Sequence, residues 1–455
     1  MILKEGVDMT AAELHYKKMT ETPLTHLIIS LGIPTTISML VTNIYNMVDT
    51  YFVGTLGESP QAATGVLFAL QAVIQAIAFM LGQGSGTMVS KALADKDTDE
   101  ADRYVSSAFF TGITVGIVIF FLGTVFLTPM LKMLGSTDTI LPYAKQYGMC
   151  VLTGAPVVIG SFVLNNNLRY EGKAFYSMFG LVSGAVINIF GDWLLVSVLK
   201  MGILGAGIAT VASQTISFTV LLVFFKLKAQ STIRLSAISK QAGEYFTICK
   251  VGFPALIRQG LSSISHGLLN NLTRPYGDAA IAAMSVVGRV GMFIMCVGLG
   301  IGQGYQPVAS FNYQAKRYDR VKRGLTVTMV IGAVLICIIA VPCMFFSKDI
   351  MYLFQHNAET VKIGTTALRY TCFGTMFLSL SVPINMFYQS ARKPVMSSVL
   401  SLMRSGVMFI PTLIISTHFW GLYGIQISQP LADVLTGLVS IPFIINFFTK
   451  SDEKF

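Results

Sequence analysis

The sequence predicts an all-α integral membrane protein, with twelve transmembrane helices in two six-helix lobes related by an internal pseudo-two-fold repeat. Three observations carry that expectation. Hydrophobic residues make up 53% of the 455 and charged residues 12%, with a mean hydropathy of +0.66, where a soluble chain carries about 25% charge. The apolar residues gather in runs of about 20 or more, enough to cross a bilayer core of about 30 Å. Short motifs also recur at one fixed offset along the chain.

The runs cover residues 25–52, 62–89, 104–127, 147–167, 174–198, 202–225, 251–273, 279–308, 325–346, 363–388, 395–417 and 421–448. Residues before Pro23 are polar and lack the apolar core of a cleavable signal peptide. With the N-terminus inside, the inner connections hold 22 Lys and Arg and the outer ones six. That asymmetry is the positive-inside bias, and it predicts cytoplasmic termini. It also accounts for the net charge of +10 without nucleic acid. Gly32-Ile33-Pro34 recurs as Gly252-Phe253-Pro254, and Gly82-Gln83-Gly84 as Gly302-Gln303-Gly304, each 220 residues on. Lys96 and Lys173 map to Lys316 and Lys393 in the same register. The expected division is a cytoplasmic segment 1–24, an N-lobe 25–226, a cytoplasmic linker 227–250, a C-lobe 251–448 and a cytoplasmic tail 449–455. An even number of spans per lobe makes the repeat parallel, with a cleft between the lobes.

The first span carries Thr35, Ser38, Thr42, Tyr45 and Asp49 at alternating spacings of three and four. This is one face of a helix, and it expects a polar neighbour because lipid cannot satisfy it. Three carboxylates fall inside spans: Asp49, Asp192 and Asp433. Each is a functional candidate, since centring a charge in a bilayer costs at least ~2.5 kcal/mol. Helical rise places Asp192 about 27 Å and Asn188 about 21 Å up the fifth span, and Thr210 about 12 Å down the sixth. Asp49, Asn188, Asp192 and Thr210 thus share a level in the outer half of the membrane. Two carboxylates, an amide and a hydroxyl at one depth can form a hard-oxygen cation cage, Na+ included, or a proton-sharing pair. They can equally form a structural polar knot. Positions 220 residues after Asp49, Asn188 and Asp192 are Leu269, Met408 and Thr412, so the coupling site belongs to the first half.

Further cleft candidates are Ser213, Gln214 and Ser217 on span six, and Gln259, Ser263, His266 and Asn270 on span seven. Asp433, Arg404 and Arg289 share the mid-membrane level of the second half, where mutual neutralisation is expected. Pro34 lacks an N–H and is the expected hinge of the first span. Hydrolytic and nucleotide motifs are missing; Gly172-Lys173 has Asn167 where a phosphate loop needs its first glycine. Five histidines and six cysteines show no metal-ligand spacing. The expectation is a transporter without a cofactor, neither an enzyme nor a nucleic-acid or nucleotide binder.

On these residues the chain resembles the multidrug and toxic compound extrusion (MATE) family, closest to its MepA-type and DinF-like bacterial members. The match rests on Gly-x-Pro in spans one and seven, the run Asn46-Met47-Val48-Asp49-Thr50-Tyr51-Phe52-Val53-Gly54, the run Asn188-Ile189-Phe190-Gly191-Asp192, and Gly207-Ile208-Ala209-Thr210. The resemblance implies a monomer in the bacterial cytoplasmic (inner) membrane. Such a protein exports amphipathic, mostly cationic compounds in exchange for H+ or Na+. It also implies an N-lobe cation site at Asp49, Asn188, Asp192 and Thr210, with a first helix that bends at Pro34. The NorM-type branch has an acidic residue in span seven, and residues 258–271 contain none. The alternative is a flippase for lipid-linked oligosaccharides, which shares the 6 + 6 architecture; its cavity needs to be basic.

Overall fold

The computed structural model describes residues 10–449. The expected tail lies outside the described residues except for Thr449. Every long element is helical, as continuous apolar runs without strand periodicity require. A short helix α1 (Ala11–Glu21) begins in a capping box between Thr10 and Glu13. The N-lobe follows as α2 (Leu24–Gly54), α3 (Glu58–Ala94), α4 (Thr98–Val125), α5 (Leu127–Met133), α6 (Leu141–Tyr170), α7 (Ala174–Asp192) and α8 (Gly202–Lys228). A π-helical segment, Trp193–Val198, extends α7.

The C-lobe repeats the plan. It comprises α9 (Ala242–Thr273), α10 (Asp278–Gln314), α11 (Tyr318–Phe345), α12 (Ser347–Phe354), α13 (Ala358–Thr375), α14 (Leu378–Ser390), α15 (Pro394–Leu402), α16 (Phe409–Trp420) and α17 (Leu422–Thr449). A π-helical stretch, Met403–Met408, joins α15 to α16 within one span. Among the described residues, ten helices are long and apolar enough to cross a membrane. The other two expected spans are α9, whose outer half is polar, and the α13–α14 pair, interrupted at Met376 and Phe377.

The duplication is written in the backbone. Gly57 and Gly277 share a positive φ, as do Lys96 and Lys316, and Gly172 and Arg392. Each pair is 220 residues apart. Asn165 donates to Ser177 Oγ at 2.6 Å, and its repeat mate Asn385 pairs with Ser397, the mate of Ser177, at 3.0 Å.

The recurring glycine motifs let opposite lobes touch through Gly32, Gly84, Gly252 and Gly304, while Gly82 and Gly302 pack within their own lobes against α6 and α14. A Cβ on Gly252 would lie 1.9 Å from Met80 O, and one on Gly84 would lie 2.1 Å from Ile248 O, so α3 and α9 cross backbone to backbone. At the pseudo-symmetric crossing of α2 with α10, a Cβ on Gly304 would meet the Gly32 backbone at 2.5 Å. Each Gly-x-Pro glycine therefore faces a Gly-Gln-Gly glycine of the other lobe. Close approach of this kind needs residues without a side chain.

These crossings lie toward the face that carries both ends of the described chain. On that face α1 bridges the lobes: Lys18 Nζ donates to Gly172 O at 3.3 Å, and Asn312 Nδ2 donates to Met19 O at 3.0 Å. The segment between α8 and α9 is shorter than expected and is fastened to the N-lobe. Buried Glu171 accepts from the backbone N–H groups of Gln230 and Ser231 and from the Ser231 hydroxyl. Asp102 accepts from Thr232 and pairs with Arg234, while Ser106 and Ser107 accept from the N–H groups of Arg234 and Ser239.

Candidate functional site

Helix α7 packs between α2 and α8, and this brings the four expected N-lobe residues together. Asn188 and Asp192, one turn apart on α7, are 1% and 0% exposed. Asn188 Nδ2 reaches Thr210 Oγ1 on α8 at 3.4 Å. Asp49 and Asp192 are electrostatic neighbours, with no hydrogen bond between their carboxyls. Tyr147 of α6 completes the group, with its hydroxyl donating to Asp49 Oδ2 at 3.4 Å. Tyr45 stands beside the pair, and Gln71 lies against Tyr147.

The chemistry of this pocket follows from its unmet hydrogen bonds. Asp49 Oδ1, both Asp192 oxygens and Asn188 Oδ1 are buried and bond to nothing among the described residues. All four are acceptors. Buried acceptors without donors fit a proton or a hard cation, and an all-oxygen set suits Na+. A shared positive charge also relieves the repulsion between two neighbouring carboxylates.

The remaining candidates divide. The hydroxyls of Thr35, Ser38 and Thr42 bond back to Leu31, Pro34 and Ser38 carbonyls of their own helix, and Thr35 and Ser38 are buried. They do not form a stripe that seeks a polar neighbour, because a helical hydroxyl can satisfy itself one turn back. Ser213 and Ser217 are likewise spent, on Thr210 O and Gly180 O, and Gln214 packs beside Gly154. Span seven behaves differently. Gln259 reaches across the lobes to Gln75 at 3.4 Å, while His266 and Asn270 farther along α9 are exposed.

Two expectations need correction. Asp433 pairs with Arg404 at 2.9 Å and accepts from Gln429, but Arg289 is exposed on α10 and takes no part. Equal depth did not mean equal face. Arg169 counted as a loop charge in the sequence, yet it is 2% exposed near the end of α6 and reaches Gln303 and Gln306 of the C-lobe. The first half therefore does contain a buried cation. Its counterpart is Arg258 of α9, which donates to Gln83 of the N-lobe at 3.3 Å. Gln83 and Gln303 are repeat mates, so each lobe offers the same glutamine to an arginine of the other. The recurrence of Gln83 in the sequence was the available signal; Tyr147 left none.

The MatE family profile matches residues 34–194 and again 254–415, once per lobe. The chain belongs to the MatE family. Among its MatE relatives is the multidrug export protein MepA of Staphylococcus saprophyticus, 25% identical over 413 residues that cover 90% of this chain and 91% of the relative. MepA of Staphylococcus aureus is 24% identical, covering 95% of this chain and 96% of its own length. Two solved MATE structures share the fold, each with a TM-score of 0.90 and 22% identity. One is a MATE in complex with MaL6, covering 97% of this chain and all of that one. The other is an outward-facing multidrug resistance MATE transporter, covering 98% and 100%.

Proposed function

We propose that this MatE protein is a multidrug exporter that exchanges H+ or Na+ for amphipathic, mostly cationic compounds by alternating access across the bacterial cytoplasmic membrane. The carrying observation is the neighbouring pair Asp49 and Asp192 with four unmet acceptors, in a chain whose curated relatives over nine-tenths of its length are multidrug export proteins. With both termini in the cytoplasm, the lobes meet on the cytoplasmic side and the cleft faces outward. The pair binds the coupling cation, Asn188 and Thr210 supply further oxygens, and Tyr147 orients Asp49. Loading the pair changes how α2 docks against α7, and Pro34 is the point where α2 bends.

The flippase alternative asks for a basic cavity, and buried Arg169 and half-buried Arg258 do place positive charge where the lobes meet. The carboxyl pair and the export relatives favour drug–cation exchange. Reconstitution decides between them. In proteoliposomes loaded with a fluorescent cation, an imposed pH or Na+ gradient drives transport by the wild type. Asp49→Asn and Asp192→Asn each abolish it while remaining folded, because neither amide can take up and release charge. Gradient-driven transport by both variants would sink the assignment.

A further inference from the structure

A small cavity of about 30 Å³ lies in the C-lobe, and its polar groups are the reverse of those in the Asp49 pocket. Its walls set Arg258, Ser381, Asn385, Ser401 and Arg404 among apolar side chains such as Leu299 and Met386. Asn385 is committed to Ser401 and Ser397. Arg404, presented by the π-helical stretch, spends Nε on Asp433 and Nη1 on Met295 Sδ. Arg258 uses Nη2 on Gln83, but its Nη1 is buried and bonds to nothing. The Ser381 hydroxyl, on a residue 6% exposed, is also without a partner.

Around this cavity the unmet groups can all donate. Beyond Arg258 Nη1 and Ser381 Oγ, the neighbouring lobe interface leaves Arg169 Nε and Gln83 Nε2 unpaired. Charge points the same way, because Asp433 answers Arg404 and no carboxylate among the described residues contacts Arg258. A half-buried guanidinium whose Nη1 is sealed from water without a partner is costly, and an anion that accepts its free N–H removes the cost. π-Helical turns are also frequent where helices carry a binding site.

We propose that this cavity binds a singly charged anion between Arg258 and Arg404, with the Ser381 hydroxyl as a further donor. The anion is either the carboxylate of a zwitterionic cargo molecule or a free halide. The cargo source rests on the export reading above; the halide source does not. Since Arg258 also holds Gln83 of the opposite lobe, an anion here is shared with the lobe contact.

The test uses the purified full-length protein in detergent and a matched dye pair, a cationic rhodamine ethyl ester and its free acid, read by fluorescence polarisation. If the cargo carboxylate is the ligand, Arg258→Gln weakens the free acid about tenfold and leaves the ester within about twofold. Arg258→Lys then restores part of the loss. If a halide is the ligand, chloride raises the wild-type unfolding temperature above that in methanesulfonate at equal ionic strength. In that case Arg258→Gln abolishes the difference, and chloride competes with the free acid. Ser381→Ala, a milder change, carries the same readouts should Arg258→Gln not fold. The site is overturned if both dyes weaken equally and no chloride effect depends on Arg258 or Ser381. Failure of the ester to bind the wild type would count against the export reading, and the chloride arm would still decide the anion site.

Discussion

At the scale of single residues, the contrast between the two halves is a contrast in what each leaves unsatisfied. Asp49, Asp192 and Asn188 present bare acceptors, while Asp433 is answered by Arg404 and Gln429. The first set can take up a cation; the second is already neutral. Removing one member of a buried pair is costly because the other is stranded, typically by 3–5 kcal/mol. Asp433→Asn is therefore expected to lower the yield and unfolding temperature of purified protein, and Asp433→Asn with Arg404→Gln to recover part of both. A double variant no better than the single one would overturn the pairing explanation, and a well-folded but inactive Asp433→Asn would assign Asp433 to transport. Depth along a helix was legible in the sequence, and it grouped Asp49, Asn188, Asp192 and Thr210 correctly. Which way each side chain turns was not, as the exposed Arg289, the buried Arg169 and the self-satisfied hydroxyls of Thr35 and Ser38 show.

At the scale of elements, α1 is the piece that hydropathy could not place. It sits outside the spans, yet Met19 is fully buried and His15 packs edge-on against Phe311 at 5.3 Å. Burial, aided by Lys18 and Lys173, pushes the His15 imidazole down to about 3 from its usual 6.5. The unfolded chain takes up this proton below about pH 6.5, whereas the folded chain resists it to about pH 3. Stability from this docking is thus full above 6.5 and declines as pH falls through that window, by on the order of 2 kcal/mol at pH 5. Unfolding temperatures measured from pH 7.5 to pH 5 are expected to fall more steeply for the wild type than for His15→Leu, which cannot titrate. Parallel curves would mean that α1 is not held this way. The interruption between α13 and α14 and the π-helical turn at Met403–Met408 were equally hidden, since both are departures from helix inside apolar sequence.

At the scale of the whole molecule, the twofold plan was plain from the 220-residue offset, but the role of the repeated glycines was only half legible. Small residues announce close packing; they do not say against what. The structure pairs Gly252 with the α3 backbone and Gly304 with α2, so these glycines govern contact between lobes, whereas Gly82 and Gly302 serve packing within each lobe. Adding a methyl group there meets backbone, which yields less readily than the 1–3 kcal/mol of ordinary overpacking. Gly252→Ala is expected to part the lobes on this face, seen as a lower unfolding temperature and faster maleimide labelling of the neighbouring Cys249. Unchanged labelling would argue that the crossing tolerates a side chain. The strap between the lobes leads to a last consequence. Because Glu171, Asp102, Ser106 and Ser107 hold residues 230–239 against the N-lobe, the chain has two places where it could be cut, and they are not equivalent. Severed after Ser239, the protein should survive as two separately encoded polypeptides that find each other in the membrane and restore resistance when co-expressed. Severed after Lys228, the same strap stays on the wrong fragment, and reassembly should fail.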